Sequence, residues 1–440
     1  MTARRLAASE IAKGTALARR VAAATSAAGV SFEHDGERVR AFEGEPLAIA
    51  LLAADRLVLS RSPKLHRPRG ATCLRGHCEG CLVRVDDEPN VMACRALARG
   101  GESLRSQNAF PNAALDVFSV TDWFFPRGMD HHHLFVGAGR AVNETMQYFA
   151  RKMSGLGTLP EAPRAFAEAR RLRVDALVVG AGASGVAAAN ALCRKGFDVA
   201  LADVSPRVGG SRLDDPTDAG EPDAPDARVR LRLGAAAVAC FDDSTLLEDA
   251  EGVLEVRARV RVFATGTHDV VGAFAGNDLP GVLTARAFCR ALCHGALAGE
   301  RVVVAGEGPW SRRAREALAQ VAGARCEAAS PASLAALGSR RVERVVTSAD
   351  GSEARCDALV VEGTAAASYE LAGQAGAALR WSEARACFEP ACDDDGATDA
   401  PGVFVCGSLR LGGASLEARA ADGARVGARA AEHLAGGSAR

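Results

Sequence analysis

Residues 173–210, RVDALVVGAGASGVAAANALCRKGFDVALADVSPRVGG, decide the fold. Residues 174–179 are a short apolar, β-branched run between a charge and a glycine turn, the pattern of a strand buried in a parallel sheet. Gly180, Gly182 and Gly185 follow as G-x-G-x-x-G, with Ala183 and Ser184 opening an Ala-rich helix. A second strand over 198–202 ends at Asp203. The first glycine permits the tight turn, the second lets the backbone approach a pyrophosphate, and the third lets helix and strand pack closely. The helix start offers free N–H groups and a positive dipole end to the phosphates. Asp203, about twenty residues past the glycines, is placed to accept from a ribose hydroxyl. The plainer alternative is a glycine-rich turn with no ligand. Strand, glycines, helix, strand and acid in that order favour a bound dinucleotide.

The glycines alone do not separate FAD from NAD, and three further features favour FAD. Arg207, Gly209 and Gly210 follow Asp203 as D-x-x-x-R-x-G-G. Residues 262–266, VFATG, run a strand into the small-residue turn Ala264, Thr265 and Gly266. Residues 402–407, GVFVCG, are another apolar strand, ending at Gly407 before Ser408 and an Ala-rich helix over 416–431. This set resembles the two-dinucleotide-binding flavoproteins, in which the ATG-like turn and the final strand–helix close over the flavin. The resemblance implies an α/β, Rossmann-type FAD/NAD(P) fold. The family often has Asp after the last glycine to bind the ribityl chain; here a serine hydroxyl stands in its place.

The second strong signal is ATCLRGHCEGCLVRVDDEPNVMAC, where Cys73, Cys78, Cys81 and Cys94 give C-x4-C-x2-C-x12-C. Four thiolates are what a [2Fe–2S] cluster needs, and plant-type spacing opens C-x4-C-x2-C. Gly76 and Gly80 let the loop wrap. Zinc is the rival, but zinc sites usually pair two short knuckles and only one exists here. Upstream, residues 30–40 alternate around an Asp35-Gly36 hairpin signal, and 46–54 reads as a helix. Hairpin, helix and cysteine loop in order resemble the β-grasp ferredoxin-like domains of xanthine dehydrogenase and succinate dehydrogenase type.

A broader resemblance rests on 42–70, FEGEPLAIALLAADRLVLSRSPKLHRPRG, on Ser106-Gln107-Asn108, on Gly155-Leu156-Gly157 and on Leu279-Pro280-Gly281-Val282. These are similar to the alpha subunits of heterotetrameric sarcosine oxidase, with opine oxidases, hydrogen cyanide synthase and amino-acid dehydrogenase complexes as relatives. The resemblance runs from about residue 30 to the C-terminus. It implies a DAO-like flavoprotein beta subunit as partner, which oxidises a small amine or amino acid. Many sarcosine oxidase alpha chains lack the four loop cysteines that this chain has. They also continue into a folate-binding domain, and with the sequence ending at Arg440, folate chemistry is not expected.

Composition narrows the rest. The 440 residues suit two or three domains. A formal net charge of −1 gives no bulk electrostatic case for nucleic acid or a membrane surface. No apolar run reaches the length of about eighteen residues that a membrane span needs. Thirteen cysteines, four in the loop and nine scattered, suit a reducing, cytoplasmic compartment better than a disulfide framework. The expected organisation is a basic helix or tail over 1–29, with a transit-like peptide as the alternative, and a β-grasp [2Fe–2S] domain over 30–110. A connection follows over 111–172. FAD-binding parts are expected over 173–280 and 396–440, around an inserted NAD(P)-binding-like domain over 281–395.

Several features stay open at this level. RVVVAGEGPWSRRAREAL, from Arg301, repeats the strand–turn–helix, with Gly306, Gly308 and Ser311 as G-x-G-x-x-S. Nicotinamide binding and a retained fold with a blocked site are both open, since Pro309 and Trp310 crowd the turn; Glu327 is the candidate ribose acid, at an imperfect offset. Cys289 and Cys293 share a helix face, as a redox dithiol or, more commonly, as packed thiols. His131-His132-His133 reads as a polar loop, and 214–226 as a short exposed loop. Cys387 and Cys392 show no cluster motif.

The sequence thus points to an FAD- and [2Fe–2S]-containing electron-transfer subunit of an amine or amino-acid dehydrogenase/oxidase complex. A self-contained NAD(P)H reductase and a non-catalytic structural subunit are the alternatives. No residue stands out as a catalytic acid or base.

Overall fold

The computed structural model describes residues 3–62, 65–120, 123, 137, 139–153, 168–330, 334–347 and 350–436. His131–His133 and Gly155-Leu156-Gly157 lie outside them. The chain divides into two compact units: 1–163 with 214–219 and 271–363, and 164–213 with 220–270 and 364–440.

The first unit opens with a β-grasp sheet in the order Glu37–Phe42, Gly29–His34, Ser103–Arg105, Leu82–Val85, Glu88–Met92. Asp35 and Gly36 both take positive φ, 51° and 84°, as the hairpin signal requires. Leu47–Ala53 is helical and nearly wholly buried, which accounts for its unbroken apolar run. Residues 4–25 are not a loose tail. Arg4–Arg5 pairs with Ala296–Leu297 as a short strand, and Thr15 caps the helix Ala16–Thr25, whose Leu17 is fully buried. Arg5 forks onto Glu45, Nη1 to Oε1 at 2.5 Å and Nη2 to Oε2 at 2.9 Å, a bidentate pair that fixes the strand. A two-residue strand carries no periodicity, so the sequence could not announce it.

The same unit holds a four-stranded parallel sheet ordered Val282–Thr284, Ala358–Val361, Arg301–Ala305, Arg325–Ala329, with helices Ala285–Cys293 and Pro309–Leu318. This is the second nucleotide-type layer. Its compact unit ends at Gly363, whereas the sequence reading carries the insertion to residue 395.

The second unit is built on a seven-stranded sheet: Arg230–Leu233, Val199–Asp203, Arg170–Val179, Gly252–Phe263, Ser244–Asp249, Ala236–Cys240, with Val403–Val405 alongside Gly252–Phe263. Val179 lies between Ala202 and Phe263 in parallel register, so both crossover connections return to the same end of the sheet. Leu177, Leu201 and Phe263 are fully buried, each contributing roughly 1.5–3 kcal/mol of burial. Gly234 (φ 71°) separates the strands Arg230–Leu233 and Ala236–Cys240. The helix Leu416–Gly436 packs on the helix Ala183–Arg194 through two glycines. A Cβ on Gly423 would overlap the Ser184 carbonyl oxygen, and one on Gly427 would lie 2.5 Å from that of Ala188. Only glycine at both positions lets the helices approach this closely.

Residues 214–226 are exposed only in part, at Gly220, Glu221, Asp223 and Ala224. Asp214 and Asp215 are buried. Further on, Asn190 Nδ2 donates to Ala224 O at 3.1 Å and Asp226 N to Asn190 Oδ1 at 2.7 Å, stitching that stretch along the helix Ala183–Arg194.

Candidate cofactor sites

The cysteine loop is shaped by backbone that only a few residues tolerate. Leu74 and Gly76 sit at φ 50° and 82°. A Cβ on Gly80 would overlap the Gly70 carbonyl oxygen. Cys73, Cys81 and Cys94 are buried and Cys78 is half-buried. Thiol contacts join Cys73 to Cys78 and Cys81 to Cys94, and Cys73 to Cys94 links the pairs. Hydrogen bonding from Cys78 pulls the Cys73 thiol well down, and that from Cys94 lowers Cys81. The amides of Arg75 and His77 donate to Cys73 Sγ at 3.4 and 3.3 Å, the donors a cluster thiolate needs. Among the described residues no three ligand side chains converge on a single metal ion. Two linked thiol pairs fit two irons better than one zinc.

Arg75 of this loop also reaches a buried carboxylate that sequence reasoning missed. Asp214 accepts from Arg286 Nε at 2.8 Å and Arg290 Nη1 at 2.9 Å, and Arg75 Nε stands 3.4 Å away. Burial opposes ionisation of Asp214, yet the three guanidiniums win and hold it at about 2. Arg286 lies over the Trp310 ring at 5.2 Å, and Arg313, paired with Asp215 at 2.7 Å, lies over it at 4.9 Å.

The first glycine turn is the better-formed nucleotide seat. Gly180 has φ 108°, and a Cβ there would overlap Ala264 O. A Cβ on Gly185 would overlap Gly180 O. Gly182 caps the helix without any side-chain bond, and Ala181, Gly182 and Ala183 line a small pocket at the helix start. The pocket is also lined by Gly209, Arg212 and Asp223. Asp203 Oδ2 accepts from Ala181 N at 2.5 Å and Oδ1 from Ser205 N at 2.7 Å, which fixes the carboxylate beside the turn. Gly209 N donates to Ala181 O at 2.9 Å, and a Cβ on Gly210 would lie 2.8 Å from Gly182 Cα. Gly407 N donates to the buried Asp422 Oδ2 at 2.8 Å. Arg419 Nη1 donates to Ser408 Oγ at 3.2 Å and Ser211 Oγ at 3.0 Å, bringing a cation to the predicted cluster of residues. Arg207 is exposed, Thr265 Oγ1 donates to Ser368 O at 2.7 Å, and Gly266 takes φ 74° in the turn after Ala264.

At the second turn, Gly306 repeats the left-handed φ of Gly180, at 112°. Its helix start is occupied. Glu362, just beyond the strand Ala358–Val361, accepts from Ser311 N at 2.5 Å through Oε2 and from Trp310 N at 3.3 Å through Oε1. Glu327 is exposed and pairs with Val303, two rungs short of the strand end. The position matching Asp203 is Ser330. Cys289 and Cys293 are packed thiols, both pushed up by burial.

Residues 27–109 match a 2Fe-2S iron-sulfur cluster binding domain, and 178–250 an NAD(P)-binding Rossmann-like domain. The chain is 31% identical over 300 residues to the sarcosine oxidase subunit alpha of Rhizobium meliloti (strain 1021), covering 59% of this chain and 30% of that one. It is 28% identical over 305 residues to the subunit of the same name from Corynebacterium sp. (strain P-1), covering 62% and 27%. It thus spans less than two thirds of the length of these relatives. Among solved structures, L-proline dehydrogenase from P. horikoshii shares the fold, with TM-score 0.70 over 93% of this chain and 74% of that one, at 21% identity. FAD and a [2Fe–2S] cluster are the cofactors that the two residue sets fit. No helix among the described residues is long and apolar enough to cross a membrane.

Proposed function

We propose that this chain is the electron-transfer subunit of a sarcosine-oxidase-like complex that oxidises a small amine or amino acid. The observation that carries the reading is the presence, in one chain, of a four-thiol loop and an uncapped dinucleotide turn. FAD accepts electrons in pairs and releases them singly, and a two-iron cluster carries one at a time. Ala183, Ser184 and Gly185 offer their amides to the pyrophosphate, Asp203 meets the ribose, and Arg419 balances phosphate charge. Cys73, Cys78, Cys81 and Cys94 would hold the cluster, three of them from buried positions. In the proposed assembly a DAO-like flavoprotein oxidises the amine and passes its electrons to this chain. Thirteen free cysteines support a reducing, cytoplasmic setting for the proposed complex.

The test is co-expression with a DAO-like flavoprotein encoded beside it, followed by an anaerobic visible spectrum. Sarcosine or proline should bleach the flavin and iron–sulfur bands of the complex and leave those of the isolated chain unchanged. Amine turnover by the isolated chain through its own flavin would sink the proposal.

A further inference from the structure

The second glycine turn has the backbone of a nucleotide site and already carries an anion. Both carboxylate oxygens of Glu362 accept from the amides of Trp310 and Ser311, at the second and third positions of the helix Pro309–Leu318. The same carboxylate fills the space beside Gly308, where a Cβ would overlap it, and the Glu362 Cβ lies 2.7 Å from where one on Gly306 would stand. These are the atoms that glycine in this motif leaves clear for a pyrophosphate. The amides and dipole that would attract the phosphates are satisfied by a fixed charge of the chain itself. A phosphate entering here meets a like charge and must displace it.

A second, independent observation concerns the ribose. In the first turn the acid is the residue after Ala202, which pairs with Val179. In the second, Ala329 pairs with Ala305, so the matching residue is Ser330. No carboxylate stands there to accept from a ribose hydroxyl.

We infer that Glu362 is a specificity-determining residue that stands in for the dinucleotide phosphates and keeps NAD(P) out of the second turn. The role of Glu362 is internal to one unit and does not depend on which complex the chain joins. It does deepen the proposed function, since electrons then have no nicotinamide entry within this chain.

The experiment is calorimetric titration of the flavin- and cluster-loaded chain with NADH and with NADPH, for the wild type, Glu362→Gln and Glu362→Ala. Retained flavin and cluster absorbance reports that each variant is folded. The wild type should show no binding at millimolar ligand. Glu362→Ala should gain affinity by tenfold or more, with the isosteric Glu362→Gln, which loses only the charge, in between. Wild-type binding in the micromolar range would overturn the inference. So would variants that stay folded and bind no better than wild type, because Glu362 would then not be what excludes the ligand.

Discussion

The two glycine turns begin alike and end differently. Each follows a buried parallel strand, and each places its first glycine at φ near 110°. What separates them is what the strands on either side contribute. At Gly180 the neighbouring strand delivers Asp203 to Ala181 N, at the rim, and among the described residues no side-chain cap closes the helix start. At Gly306 the strand Ala358–Val361 delivers Glu362 onto the helix amides themselves. One carboxylate frames a seat; the other sits in it. A glycine fingerprint therefore reports backbone shape, and occupancy is decided by residues far away in sequence.

That contrast can be broken at several points. The largest effect is expected from Gly185→Val: its side chain would drive into the Gly180 carbonyl, and the purified chain should lose its flavin absorbance while the iron–sulfur bands remain. Next comes Asp214→Ala, which strips the partner from Arg286 and Arg290 beside the second turn. Leaving buried guanidiniums unpaired should cost about 3–5 kcal/mol, measured by urea unfolding. Because Asp214 is held below its unfolded value, its contribution is present above about pH 4. It should fade by about 2 kcal/mol as the pH falls towards 2, a loss that the variant should not show. Asp203→Ala should weaken FAD by about 1–3 kcal/mol, read as a raised Kd on reconstitution of the apoprotein. The smallest change is expected for Arg419→Ala, a cation tied by two serines at the edge of the first seat. A Kd rise of about fivefold, growing smaller with added salt, checks it; no change in FAD affinity would remove Arg419 from the site.

How legible these features were follows from how local they are. The four cysteines and the glycine–helix–acid run are contiguous, and their spacing is the chemistry. Glu362, Asp214 and Arg419 each act across a fold, on groups fifty residues or more away, or within an otherwise unremarkable Ala-rich helix. Gly423 and Gly427 read as helix-weakening residues until the partner helix is in place. Ser330 could be matched to Asp203 only once the strand register was known. Arg5 is one of several basic residues in the 1–29 stretch, and Glu45 lies forty residues on; their bidentate pair is a tertiary fact.

The helix pairing through Gly423 and Gly427 also sets an order of events during synthesis. The strand Arg170–Val179 and the helix behind it leave the ribosome early, but their wall is finished only when Val403–Val405 and the helix Leu416–Gly436 have been made. A long wait between partners slows folding and exposes apolar surface in the interval. The ligands of the cluster, by contrast, all lie between Cys73 and Cys94 and are made together. Nascent chains should thus become competent for iron before they become competent for flavin.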